Sequence, residues 1–311
     1  MRPLITVAAA TVFALAGCAG ATPTPAPSVG AYPGWPPRTA PETFELVPIP
    51  VSTELAVGQN RFLLNLIDRQ NEPLASPERE VTLNFYDLAT DPAQPQVSVA
   101  GTYLPTTPQL PGLYRAQVEF GSAGEWGLEV VTAEPDGSRR TGRVVFPVRP
   151  SSSTPAVGAD APASQTPTAT TPAQIAQIST DRPPDPDFYR TSVDQALADG
   201  RPFLLVFATP AFCQTATCGP ALDIVKTAAA DYKDEVEFIH VEPYRLEMVD
   251  GHLQPELDEN NRPIPVEAVT EWGLTTEPYI FVVDSAGKVG AKLEGVASVE
   301  EIQAALADVA E

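Results

Sequence analysis

The sequence predicts a multidomain chain, an all-β sandwich followed by an α/β domain whose central mixed sheet is flanked by helices. Three observations carry that expectation. Short segments of alternating, β-branched or aromatic residues recur between 43 and 149, separated by Gly and Pro turns. From 181 onward, continuous apolar runs alternate with segments that carry helix-capping residues. Between the two, residues 150–180 are rich in Ser, Thr, Ala and Pro and read as a linker. The 311 residues suit two domains of ordinary size, and a hydrophobic content of 43% is enough to build real cores.

Charge and proline narrow the classes further. With 19 Lys and Arg against 40 Asp and Glu, the net charge is −21. Counterion release on a phosphate backbone needs clustered cations, so general nucleic-acid binding is excluded. Residues 181–311 hold 9 basic and 25 acidic residues, so most of the negative charge belongs to the second domain. Such a domain favours basic or neutral partners. Proline makes up 35 of the 311 residues, and nine of these fall within residues 21–50.

The first segment reads as a targeting signal. Met1-Arg2-Pro3 gives a short positive start, and Leu4–Gly17 is apolar without a charge. That run is too short to span a bilayer as a mature helix. It ends in Leu15-Ala16-Gly17-Cys18, which resembles a bacterial lipoprotein lipobox. The resemblance implies removal of the signal within residues 1–18, lipid on the Cys18 sulfur, and a membrane-anchored protein outside the cytoplasm. Residues 19–42 then read as a Pro-rich tether of polyproline II character. At about 3.1 Å per residue it would hold the body on the order of 60 Å from the lipid.

Within 43–149, the strand candidates are 61–67, 81–86, 113–120 and 126–131. Gly112, Gly121, Gly124 and Pro135-Asp136-Gly137 mark the turns. The run from Gly112-Leu113-Tyr114 to Trp126-Gly127-Leu128 resembles the pattern of small extracytoplasmic Ig-like modules of the YtkA-like family. It implies an Ig-like sandwich acting as a spacer or docking module. His, Cys and Met are absent from 43–149, so the ligands used by copper-handling relatives are missing.

The second domain, 181–311, opens a helix at Thr191-Ser192-Val193-Asp194 and closes it at Gly200. Phe203–Phe207 is apolar throughout, as in a strand buried on both faces. A helix from about 220 to 232, a strand at 236–241, a hairpin at 279–284 and 289–294, and a capping box at Ser298–Glu301 follow. A cysteine pair lies between the first buried strand and its helix. This order, with Trp272–Tyr279 and Phe281–Val289, resembles the thioredoxin fold and its periplasmic TlpA-like branch. The resemblance implies a cis-proline at Pro278, and a substrate groove formed there with Glu277 beside the cysteines.

With Cys18 assigned to lipid, Cys213 and Cys218 remain as a pair in an oxidising compartment. Residues five apart in a regular helix lie beyond disulfide reach, so the pair can close only if 213–218 is not helical. Pro220 fits the first turn of a helix and supports a start near Cys218 or Gly219. Position at a helix N-terminus favours Cys218 as the thiolate, and exposure favours Cys213. The spacing is Cys-x4-Cys rather than the family's Cys-x2-Cys, and no acid interrupts Phe203–Phe207. Glu277 before Pro278 should raise thiol pKa.

The leading expectation is a redox-active thiol–disulfide exchange protein of the cell envelope, acting on protein thiols or disulfides, without a cofactor or nucleic acid. A non-enzymatic surface binding or assembly module with a structural disulfide is the second expectation. Copper handling by the thiols and His240 is the third, although His240 on a central strand reads first as a core histidine.

Overall fold

The computed structural model describes residues 32–35, 46–106, 111–134, 137–213 and 216–310. The first seven strands are β1 (Val47–Pro50), β2 (Gly58–Ile67), β3 (Glu80–Asp87), β4 (Val97–Leu104), β5 (Leu113–Phe120), β6 (Gly124–Ala133) and β7 (Arg139–Val148). Alternation sets which side chains turn inward. In β5, for example, Tyr114, Ala116, Val118 and Phe120 are buried while Gln117 and Glu119 face water. An aromatic cluster fills the interior. Phe85 meets Phe62 and Phe120 edge-on, with ring centroids 5.0 and 5.6 Å apart.

These strands form one antiparallel sheet in the order β1-β2-β5-β4-β3-β6-β7, not the two-layer Ig-like sandwich that the sequence predicts. The reason lies in β4. Its residues Val97–Gly101 pair with β3, and Thr102–Leu104 pair with β5. One strand therefore joins what would have been two sheets, as strands do when they turn a corner. The free ends then curl towards each other. Val57 N donates to Arg149 O at 3.0 Å and Arg149 N to Leu55 O at 2.8 Å, so the sheet is nearly closed. A Cβ on Gly142 of β7 would run into the Leu46 carbonyl, which is why this seam takes glycine.

The remaining elements are α1 (Pro172–Ile178), a 3-10 turn at Pro186–Tyr189, α2 (Val193–Asp199), β8 (Phe203–Phe207), α3 (Cys218–Ala229), β9 (Glu237–Val241), β10 (Leu246–Val249), β11 (His252–Pro255), α4 (Glu267–Glu271), β12 (Tyr279–Val283), β13 (Val289–Glu294) and α5 (Val299–Ala307). Four strands make a sheet in the order β13-β12-β8-β9, with only β8 and β9 parallel. Both β8 and β12 are buried along their whole length. Leu204, Val206, Ile280 and Val282 face α3 and α5, while Phe203, Phe207 and Phe281 face Val193, Ala268 and Trp272.

The fold class expected for 181–311 requires correction. The described residues are 37% strand and 17% helix, and no helix-flanked α/β thioredoxin-like core is evident among them. Local signals placed individual elements well, but the helical cover is thin. Only α3, with 12 residues, exceeds nine, and α4 has five. Residues 246–255, within an acidic stretch too polar to bury a helical face, form the β10–β11 hairpin instead.

Caps explain the helix ends. Ser298 and Glu301 make the expected capping box on α5, and Gly200 ends α2 at φ 64° in the left-handed region. Residues 150–180 lie against the body: Thr154, Ser164, Thr166 and Ala169 are buried. Of the segment expected as a tether, Tyr32–Trp35 is described, and Trp35 is buried between Tyr86 and the Arg143 guanidinium, 4.9 Å from its ring. Cys18 and the expected signal lie outside the described residues. Among the described residues, no helix is long and apolar enough to cross a membrane.

Arg61 of β2 ties the two sheets together. Its guanidinium holds both Glu301 carboxylate oxygens at 2.9 Å and donates to the Glu294 and Val296 carbonyls at 2.9 and 2.7 Å. Leu63, Leu104, Leu113 and Val296 form an apolar cluster beside it.

Candidate functional site

The cysteines sit where β8 ends and α3 begins. Thr209 fixes the intervening turn, because its carbonyl accepts from the Phe212 and Cys213 N–H groups at 3.3 and 3.1 Å. Ala216 holds a φ of 56°, a left-handed conformation uncommon for alanine, just before Thr217 and the first turn of α3. Cys213 is half-buried and Cys218 is fully buried. The sequence favours Cys213 as the exposed thiol and leaves open which cysteine attacks; in the structure Cys213 is the more exposed of the two.

No disulfide joins the two cysteines, which are not at disulfide distance. They meet instead as hydrogen-bonded thiols. That bond to Cys213, followed by burial, pushes the Cys218 thiol far above its ordinary range, although the Thr209 N–H opposes the shift. Cys218 is therefore not the thiolate that its place on α3 suggests. Thr217 Oγ1 lies 3.9 Å from the Cys213 sulfur.

Glu277 and Pro278 face this pair, joined by a cis peptide as the sequence predicts. Burial holds the Glu277 carboxyl above its usual range, and the nearby Cys213 raises it further. The Tyr244 hydroxyl donates to Glu277 at 3.2 Å and offsets part of that shift. Burial and Glu277 together push Tyr244 up to about 12. Tyr244 thus belongs to the site, although no sequence signal marked it.

His240 does not join the thiols. Its Nε2 donates to the Ala208 carbonyl and its Nδ1 shares a hydrogen bond with the Tyr189 hydroxyl, both at 2.9 Å. Both ring nitrogens are spent in the core, in keeping with the core reading of this histidine. Among the described residues, no three His, Cys, Asp or Glu side chains converge to hold a metal ion.

Beside the thiols lies a cleft of about 330 Å³. One wall is Leu63 and Leu113 of the seven-stranded sheet with Val51 just beyond β1, and the other is Thr217, Pro278 and Val296. Sequence reasoning found Pro278 but not the opposing wall, which lies more than 150 residues away along the chain.

No protein-family model and no curated protein matches the chain. Similarity to solved structures is weak, as two of those that match illustrate. The soluble domain of PmoD from a Methylocystis species is 15% identical with a TM-score of 0.19, over 33% of this chain and 88% of that one. A candidate glycoside hydrolase from Bacteroides vulgatus is 18% identical with a TM-score of 0.21, over 38% of this chain and 24% of that one.

Proposed function

We propose that the chain is a lipid-anchored extracytoplasmic protein of the bacterial envelope that exchanges disulfides with other envelope proteins through Cys213 and Cys218. The observation that carries this reading is an outward thiol hydrogen-bonded to a buried one beside Pro278. The roles divide accordingly. Cys213 thiolate attacks one sulfur of a partner disulfide, and the partner's other sulfur leaves as a thiolate that takes a proton. Cys218, deprotonated as it reacts, then attacks the Cys213 sulfur. The second partner thiol is released and a Cys213–Cys218 disulfide remains. Two electrons and two protons pass from the protein dithiol to the partner disulfide.

Lipid on Cys18 anchors the chain in this reading, and the net charge of −21 favours basic or neutral partners. The test is trapping. Cys218→Ser expressed in the native envelope should accumulate mixed disulfides through Cys213, visible as higher-mass bands that dithiothreitol removes. Cys213→Ser should accumulate none. If neither variant traps a partner and the double variant behaves as wild type, the exchange reading fails and a binding or assembly module is left.

A further inference from the structure

We infer that the cleft beside the thiols is a recognition site for an extended, apolar polypeptide segment with a Lys or Arg next to its reactive cysteine, and that the seven-stranded sheet supplies its selective wall. The inference rests on the exchange reading and names the partner class that the same site would take.

Three features of the cleft converge on that occupant. Its walls are mainly apolar, with Val51, 38% exposed, at its outer rim. Its lining includes Glu277 and Glu294 and no Lys or Arg. A cationic segment is therefore complementary to it, and an acidic one is repelled. Lastly, Asn65 lines the cleft, and its Oδ1 is a buried acceptor without a hydrogen-bond partner. An acceptor of that kind calls for an N–H donor. A polypeptide brings such donors along its backbone, whereas an acyl chain brings none. The opposite wall carries Thr217, whose Oγ1 lies 3.9 Å from the Cys213 sulfur, so a segment lying in the cleft passes close to the sulfur that would attack it.

The test separates docking from chemistry by using a peptide without sulfur. The probe is a fluorescein-labelled heptapeptide with capped ends, Val and Leu flanking a Lys-Ser pair, titrated into the full mature protein and read by anisotropy. A matched peptide carries Glu in place of Lys. The Lys peptide should bind at least tenfold more tightly than the Glu peptide, and Val51→Lys, on the exposed rim, should reverse that order. Asn65→Leu should weaken the Lys peptide several-fold, with near-ultraviolet circular dichroism confirming that both variants are folded.

Equal binding of the two peptides, or binding indifferent to Val51→Lys, would overturn the inference. So would displacement of the peptide by a fluorescent fatty acid that binds more tightly, or by self-association of the protein. Because the peptide cannot form a disulfide, its binding can succeed where mixed-disulfide trapping fails, and the two readings fail separately.

Discussion

Replacing Arg61 by Met tests whether the two sheets act as one unit. Arg61 and Glu301 are 5% and 6% exposed, so their ion pair is desolvated, and the same guanidinium donates to two carbonyls. Met keeps much of the aliphatic stem but removes every donor. Glu301 is then left with Arg115, at 3.3 Å and 29% exposed, and with the Ser298 N–H that it caps. Breaking one side of a buried pair costs about 3–5 kcal/mol, because the surviving charge stays out of water. With a urea slope of about 3 kcal/mol/M, the midpoint should fall by about 1–1.7 M. Tryptophan fluorescence follows Trp126 in the first sheet and Trp272 beside the second. Arg61→Met should also separate their transitions, which should coincide in the wild type. A double-mutant cycle with Glu301→Gln should return a coupling above about 1.5 kcal/mol. A midpoint shift under 0.3 M, equivalent to about 1 kcal/mol, would refute the assignment of Arg61 as the tie.

Two further outcomes follow from the structure. Gly142→Ala should cost about 1–3 kcal/mol in thermal unfolding, because the new Cβ meets the Leu46 backbone rather than a side chain that can turn away. Glu277 has a folded pKa above its unfolded value of about 4.3, so the folded state binds more protons between the two. Stability from the neutral carboxyl is present below that pH and lost as pH rises through the folded value. Glu277→Gln should flatten this slope in pH-dependent melts and speed iodoacetamide alkylation of Cys213 several-fold near pH 7.

Much of the local structure was legible because it depends on neighbours in sequence. Five consecutive apolar residues identify β8, and Ser298 with Glu301 marks the start of α5. The class of the fold was not legible, because it turns on β4. Its burial alternates between intermediate and exposed over most of its length, so it offers no strong apolar stripe, and its change of partner at Gly101–Thr102 depends on both neighbours. The site divides in the same way. Cys213, Cys218, Glu277 and Pro278 could be picked out as residue types in a pattern, whereas Tyr244, Asn65 and the Arg61–Glu301 pair, 240 positions apart, become neighbours only through the fold.

The stretch from Gly158 to Ala161 has a consequence for how this protein lives among others. Gly158 N donates to Val289 O at 2.8 Å, Val289 N to Ala159 O at 3.0 Å, and Ala161 N to Gly287 O at 2.9 Å. These bonds occupy the outer rim of β13 where that strand begins, the place at which a foreign strand would otherwise add on. The Ser, Thr and Pro-rich stretch thus acts as a built-in edge guard. Incoming polypeptide is thereby kept from indiscriminate strand pairing at this edge.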